Sequence, residues 1–281
     1  MIPTAFDYQR ATSIDDALAK LQASDGGKLI AGGHSLVPLM KLRLSEPTVL
    51  IDVARIPGLA GIREKDGAIE IGAGTTHHDV AASALLRQSC PLVADTAAEI
   101  GDPQVRNRGT LGGSLAHADP AADYPAAMLA VDAELHLKGP KGWRKVKASD
   151  FFQGLFTVDL APDEMIVGVQ FKPVRAAAYA KLHQRASHFA IVGVASAVEV
   201  KAGVIQWARI GLTGAGTHAT RLTAVEQALA GKPATKQSLE AAAALATLDE
   251  VNSDIHASET YRRAMIPVFT RRALEGALAR V

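Results

Sequence analysis

Apolar and polar positions alternate along this chain in short runs that predict strands and brief amphipathic helices. The first segment reads as a helix between two strands. Ser13-Ile-Asp-Asp16 has the spacing of a capping box, in which a hydroxyl and a later acid satisfy free amides at a helix start. Ala17–Leu21 continues that helix and Gly26-Gly27 stops it. Lys28–Ala31 predicts a strand that ends in Gly32-Gly33, and Val49–Val53 another. Pro38 falls inside the apolar stretch Leu36–Leu44, so a short or irregular helix is expected there. Ala68–Gly74 predicts a strand, and Thr76-His-His-Asp79 a second capping box opening a helix toward Leu86. Leu92–Ile100 is helical in pattern. From Gly101 to Asp123 glycine, proline and short polar residues predict a long loop-rich region, of the kind retained for function. Pro125–Leu135 reads as helix running into strand, and Met165–Phe171 as a strand closed by Pro173.

The pattern changes near Val174-Arg-Ala-Ala-Ala178. Strands follow at Tyr179–His183, Ile191–Val200 and Val204–Leu212, the last two joined by a turn at Ala202-Gly203. Two Ala-rich helices are expected at about Leu222–Ala230 and Gln237–Leu248, and a last helix from Ser258-Glu-Thr to the C-terminus. A domain boundary is therefore expected near residue 176.

Composition narrows the function. The 281 residues are 48% hydrophobic and 21% charged, an ordinary globular mixture. Lys plus Arg number 30 against 29 Asp plus Glu, a net charge of +1, which argues against nucleic acid as the partner. Cys90 is the single cysteine. One thiol cannot form an internal disulfide, a four-cysteine iron–sulfur cluster or a multi-cysteine zinc site, and the count suits a cytoplasmic protein. Before Pro91 it reads as a buried thiol. No basic segment leads into an apolar run at the N-terminus, and no stretch approaches the roughly 18 apolar residues of a transmembrane segment.

Two paired-glycine turns carry the candidate chemistry: Ala31-Gly-Gly-His-Ser35 and Thr110-Leu-Gly-Gly-Ser114. One such pair alone reads as a tight turn. Two, each beside an apolar segment and flanked by Ser or Thr, point to backbone cradles for one elongated anion such as a dinucleotide pyrophosphate. Neither fits the phosphate loop of nucleoside triphosphatases, and Gly211-Leu-Thr-Gly-Ala-Gly216 reads as a strand-to-helix turn. Between the turns, Arg106 and Arg108 either pair with phosphate or fix the loop through carbonyls and acids. Asp119 and Asp123 either accept hydrogen bonds from sugar hydroxyls or cap the helix near Pro125. His77 and His78 are adjacent and share no helix face, which favours capping or loop packing over a metal. His117 is weighed as a proton shuttle. No nucleophile–base triad emerges, so no catalytic residue and no metal ligand is assigned.

Several blocks resemble, in order, the medium, flavin-binding subunits of molybdenum hydroxylases, the carbon monoxide dehydrogenase-type flavoproteins above all. They are Ala31-Gly-Gly-His-Ser-Leu-Val-Pro-Leu-Met-Lys-Leu-Arg-Leu44, Ile71-Gly-Ala-Gly-Thr-Thr-His77, Asp102-Pro-Gln-Val-Arg-Asn-Arg-Gly-Thr-Leu-Gly-Gly113, Ala118-Asp-Pro-Ala-Ala-Asp123, Asp150-Phe-Phe-Gln-Gly154 and Leu160-Ala-Pro-Asp-Glu164. The resemblance implies an α+β protein. Its FAD-binding fold is of the vanillyl-alcohol-oxidase (PCMH) type at 1–176, in subdomains of about 1–55 and 56–176. A smaller α+β C-terminal flavoprotein domain follows at 177–281. It implies FAD contacts at Ala31, Gly32, Gly33, His34 and Ser35, at Thr110, Gly112, Gly113 and Ser114, and at Asp123, with Ile166 and Lys181 beside the flavin ring. Ser114 stands where the family often has Asn, and Phe189 where a relative carries Tyr.

The resemblance also implies partners: a large subunit with the molybdenum cofactor and a small subunit with two [2Fe–2S] clusters, as a dimer of heterotrimers. The chain would then carry electrons from those clusters to an external acceptor. The alternatives from other classes are a stand-alone FAD oxidase of the same fold and a flavin-free assembly subunit.

Overall fold

In a computed structural model that describes residues 1–281, the first fifty residues form β1 (Asp7–Arg10), α1 (Ile14–Ala23), β2 (Gly27–Ile30), α2 (Leu36–Lys41) and β3 (Val49–Asp52). The strands make a parallel sheet in the order β1-β3-β2. At the start of α1, Ser13 Oγ accepts the Asp16 amide at 3.0 Å. The Asp16 carboxylate reaches back to the Thr12 amide at 2.8 Å and also pairs with Lys20. That is a capping box displaced by one residue.

The second region runs through β4 (Ile62–Lys65), β5 (Ala68–Gly72), α3 (His77–Ala82), α4 (Ala84–Ser89) and α5 (Pro91–Ala98). It continues with α6 (Pro103–Arg106), α7 (Leu111–His117), α8 (Asp123–Ala130), β6 (Glu134–Gly139) and β7 (Gly142–Lys147). It closes with α9 (Ala148–Phe151), the hairpin β8 (Phe152–Gly154) and β9 (Thr157–Val158), and β10 (Met165–Phe171). Its sheet is antiparallel, in the order β4-β5-β10-β6-β7. The helix expected to run toward Leu86 is broken at Ser83, whose hydroxyl accepts the Leu86 amide and so starts α4. The region expected as loop, from Gly101 to Asp123, contains α6 and α7. Each is started by a side-chain cap: Asp102 on the Val105 amide at 2.8 Å and Thr110 on the Gly113 amide at 3.1 Å.

The C-terminal region is β11 (Ala177–His183), β12 (Ala190–Lys201), β13 (Val204–Thr213), β14 (Thr220–Arg221), α10 (Thr223–Leu229), α11 (Lys236–Ala243) and α12 (Glu259–Leu278). The turn after β13 passes through Gly214 at φ +82° and leads to β14, a strand rather than the expected helix. The four strands pair antiparallel in sequence order. Strand side chains alternate between faces, and here both faces are buried. Val192, Val194, Val198, Ile210 and Leu212 pack with Ile266, Phe269 and Leu274 of α12. Ala177, Ala195 and Ala197 instead join the core that contains α8, a helix buried on every side. At Gly211 an added Cβ would overlap the Ala126 carbonyl, so glycine lets α8 lie directly on the sheet. Consequently Tyr179, Lys181 and Thr213, which share the parity of Ala177 and Gly211, face the start of α8.

Candidate cofactor site

The two glycine turns line one cleft of about 630 Å³, which β10, α3, α7 and the segment before α8 enclose. Ala31, Gly32, Gly33, His34, Ser35, Thr110, Gly112, Gly113, Ser114, Asp123 and Ile166 all border it. Lys181 does not. Its side chain is 1% exposed and stands behind Asp123.

In the first turn, the amides of Gly32, Gly33, His34 and Ser35 have no acceptor within the chain. Gly33 adopts φ +74°, a conformation in which a side chain is strained. At Gly32 an added Cβ would overlap the Arg108 carbonyl, so the first turn lies directly against the segment leading into the second. His34 Nδ1 lies 3.2 Å from the Gly32 carbonyl, while the Ser35 side chain makes no cap bond to α2. A row of unpaired amides at a glycine turn is a concave donor surface suited to an anion.

The second turn is bonded differently. The Leu111 amide donates to the Thr75 carbonyl at 3.0 Å and the Gly112 amide to that of Ala73 at 2.8 Å. The Gly113 amide donates to Thr110 Oγ1 and the Ser114 amide to the Thr110 carbonyl. A Cβ at Gly112 would come within 2.5 Å of the Ala73 Cβ. Its glycines therefore bring backbone segments together, and what this turn turns toward the cleft is side chain and surface rather than free amide.

Asp123 is 4% exposed and opens α8 without capping it. Its carboxylate accepts from Lys181 Nζ, 2.9 Å from each oxygen, and from the Tyr179 hydroxyl at 2.5 Å. Burial pushes this carboxyl up from its ordinary value, against the pull of the Lys181 ammonium and the Tyr179 hydroxyl. Asp119 takes the turn role, accepting the Ala121 amide at 2.8 Å. Arg106 fixes the loop through the Ile100 and Gly101 carbonyls, at 3.1 and 3.0 Å.

Other lining residues carry no signal in the glycine-pair pattern. His77 is 5% exposed, and its amide donates to the Gly109 carbonyl at 2.9 Å. An added Cβ at Gly109 would sit 2.5 Å from its Nε2, and its Nδ1 is buried without a partner. Burial holds the His77 imidazole down to about 4, so it is neutral. The His117 ring lies tilted against Phe156, 5.2 Å between centroids, and its imidazole is also lowered by burial. Phe189 is 45% exposed at the rim. Burial pushes the Cys90 thiol up to about 12, which makes it inert. Tyr179 was legible only once the C-terminal sheet brought it to Asp123.

An elongated nucleotide with an anionic middle fits this residue set. Consecutive amides without acceptors supply donors, and the buried Asp123 carboxylate bordering the same cleft supplies an acceptor for hydroxyls.

Comparison with known proteins agrees along the whole chain. Residues 4–173 match the family model of the FAD binding domain in molybdopterin dehydrogenase, and residues 177–277 that of the CO dehydrogenase flavoprotein C-terminal domain. The chain is 40% identical over 285 residues to the carbon monoxide dehydrogenase medium chain of Hydrogenophaga pseudoflava, covering 100% of this chain and 99% of that one. It is likewise 40% identical over 287 residues to the 6-hydroxypseudooxynicotine dehydrogenase complex subunit alpha of Paenarthrobacter nicotinovorans, with 100% and 97% covered. The solved carbon monoxide dehydrogenase of Hydrogenophaga pseudoflava contains a chain that superposes with a TM-score of 0.95 at 41% identity, covering 100% of this chain and 99% of that chain.

Proposed function

The chain belongs to the FAD-binding medium subunits of the molybdenum hydroxylases, and from that premise we propose that it is the electron-transfer flavoprotein of a heterotrimeric complex. The partners are a large subunit with the molybdenum cofactor and a small subunit with [2Fe–2S] clusters, assembled as a dimer of heterotrimers in the cytoplasm. No helix is long and apolar enough to cross a membrane. One relative is named for carbon monoxide and another for 6-hydroxypseudooxynicotine, at equal identity to this chain, which supports a reading in which substrate choice would belong to the partner chains. We place this chain in a carbon monoxide dehydrogenase-type architecture, with a domain division near residue 176.

The observation that carries this reading is the row of unpaired amides at Gly32, Gly33, His34 and Ser35 on the same cleft as Asp123. Those amides would hold the diphosphate, with Thr110, Gly112, Gly113 and Ser114 forming the facing wall. Asp123 would accept from hydroxyls of the sugar alcohol chain. Ile166 on β10 would pack beside the ring, and Lys181 from behind would keep Asp123 charged. Bound there, FAD supplies redox chemistry that these side chains lack, and with one cysteine the chain has no cluster of its own to feed it. The protein contributes grip, orientation and exclusion of water.

Expression of the full chain with and without its partner subunits tests the assignment. A yellow protein that releases FAD in near-equal amount to the chain, and that co-purifies with both partners, is expected. A chain that stays colourless after incubation with FAD overturns the cofactor, and full substrate-dependent bleaching without partners would point to the free oxidase instead.

A further inference from the structure

The wall of the cleft that carries Asp123 is built by the C-terminal sheet. Lys181, Gly193 and Thr213 stand in one row across β11, β12 and β13. Thr213 Oγ1 lies 2.9 and 2.7 Å from the carbonyls of Pro120 and Ala122, and the Gly214 amide donates to Pro120 at 2.8 Å. These contacts fix the backbone leading into Asp123. Lys181 Nζ also donates to the Glu99 carbonyl at 2.9 Å, which holds the ammonium in place while it meets the carboxylate. The Tyr179 side chain crosses Gly193 to reach Asp123, and a Cβ built at Gly193 would overlap its hydroxyl. A glycine in the middle of a long buried strand weakens that strand unless something needs the space. Here the phenol occupies it.

We propose that Tyr179 is a positioning residue for the cofactor site: its hydroxyl keeps the Asp123 carboxylate ionised and oriented as a hydrogen-bond acceptor, and Gly193 is the gap that lets the phenol reach it. This rests on the reading of Asp123 as a contact of the bound nucleotide. A buried carboxylate loses its charge unless donors compensate for the water it has left. Lys181 provides one and Tyr179 the other. Burial and the adjacent carboxylate hold the Tyr179 phenol well above its usual value, so it stays protonated and remains a donor. Without that hydroxyl, Asp123 takes up a proton from solvent at a higher pH than before. Its carboxyl then offers fewer acceptor sites, and the Lys181 ammonium is left buried without a counter-charge. The other titratable groups acting on this cluster are His183 on β11, Glu99 after α5 and Tyr124 on α8, with His117 and Asp119 bordering the same cleft. All of them remain in the variants below, so the comparison with the unaltered chain removes their contribution.

The test is the dissociation constant for FAD of the full-length chain, read by flavin fluorescence across a pH series, with melting temperature as the check on folding. For Tyr179→Phe the expected result is binding near that of the unaltered chain at the alkaline end and progressively weaker binding toward the acid end, tenfold for each unit by which the titration is displaced. Gly193→Ala keeps the phenol but pushes it off the carboxylate, with Thr213 Cγ2 also 2.8 Å from the new Cβ; it should show the same acid-side weakening and reads the property by a second route if Tyr179→Phe folds poorly. Asp123→Asn should bind weakly at every pH. Tyr179→Phe and Gly193→Ala that track the unaltered chain, or that are weaker by one constant factor at all pH values, overturn the inference alone when Asp123→Asn binds weakly. Asp123→Asn binding as tightly as the unaltered chain overturns the cofactor reading of Asp123, and this inference with it.

Discussion

The two glycine pairs look alike in sequence and differ in use. At Gly32-Gly33 the amides of four successive residues are left without acceptors, whereas at the second pair the amides of Leu111, Gly112, Gly113 and Ser114 are bonded to Thr75, Ala73 and Thr110. The helix that follows shows the same contrast. Thr110 caps α7 with its hydroxyl, and Ser35 makes no such bond to α2. The first turn is a donor surface open to the cleft, and the second is a joint that packs α7 onto the end of β5. Missing side chains serve opposite ends in the two places: conformational freedom and exposure in one, close approach in the other.

The largest expected effect separates those roles directly. Gly32→Ala forces the first turn away from the Arg108 carbonyl and scatters the amide row. Losing two or more hydrogen bonds to a charged group, each contributing about 1.5–3 kcal/mol, should weaken FAD binding by at least about a hundredfold in a fluorescence titration. Gly112→Ala crowds the Ala73 Cβ. It should instead lower stability in denaturant melts of the FAD-free chain by about 1–3 kcal/mol, the usual cost of overpacking. If the two variants exchange these outcomes, the contrast between the turns is wrong.

A second effect of comparable size concerns acid. The His77 backbone amide donates to the Gly109 carbonyl ahead of the second turn, while its imidazole is packed against Gly109 and burial holds it down to about 4 rather than near 6.5. A base depressed in the folded state contributes stability that is fully present above the unfolded value and is lost as pH falls toward the folded one. Between about pH 6.5 and 4 the FAD-free chain should lose at most about 3 kcal/mol on this account. His77→Gln should flatten that part of the stability profile. A profile unchanged by the substitution would show that burial of this imidazole is not what makes the chain sensitive to acid.

Much of this arrangement was legible in the chain. Caps at Ser13 and Thr76 and the strand running into Gly32 are local signals, and local chemistry decides them. The edge strands β4 and β7 escaped because Ile62-Arg-Glu-Lys65 and Gly142-Trp-Arg-Lys-Val-Lys147 are largely exposed and polar, with little alternation to read. The helices α6 and α7 escaped because glycine and proline conceal turns that only their caps betray. Whether Asp123 caps a helix or faces a cleft could not be settled along the sequence. Its partners, Tyr179 and Lys181, lie more than fifty residues away and arrive through the alternation of β11. The two glycine pairs looked equivalent for the same reason, since which amides remain free depends on Ala73 and Thr75, not on the pairs themselves.

The smallest expected effect compares equivalent positions of the two turns. Ser35 and Thr110 both precede a helix, at the residue where a hydroxyl commonly accepts an amide. Thr110→Val removes an acceptor that the Gly113 amide uses, so melts of the FAD-free chain should show a loss of about 1 kcal/mol. Ser35→Ala removes a hydroxyl that no amide of α2 uses, so the same melts should move by less than about 0.5 kcal/mol. The order matters more than either value. A chain in which Ser35→Ala is the costlier change would have its first turn already braced from within, and amides braced from within are not free to hold a phosphate.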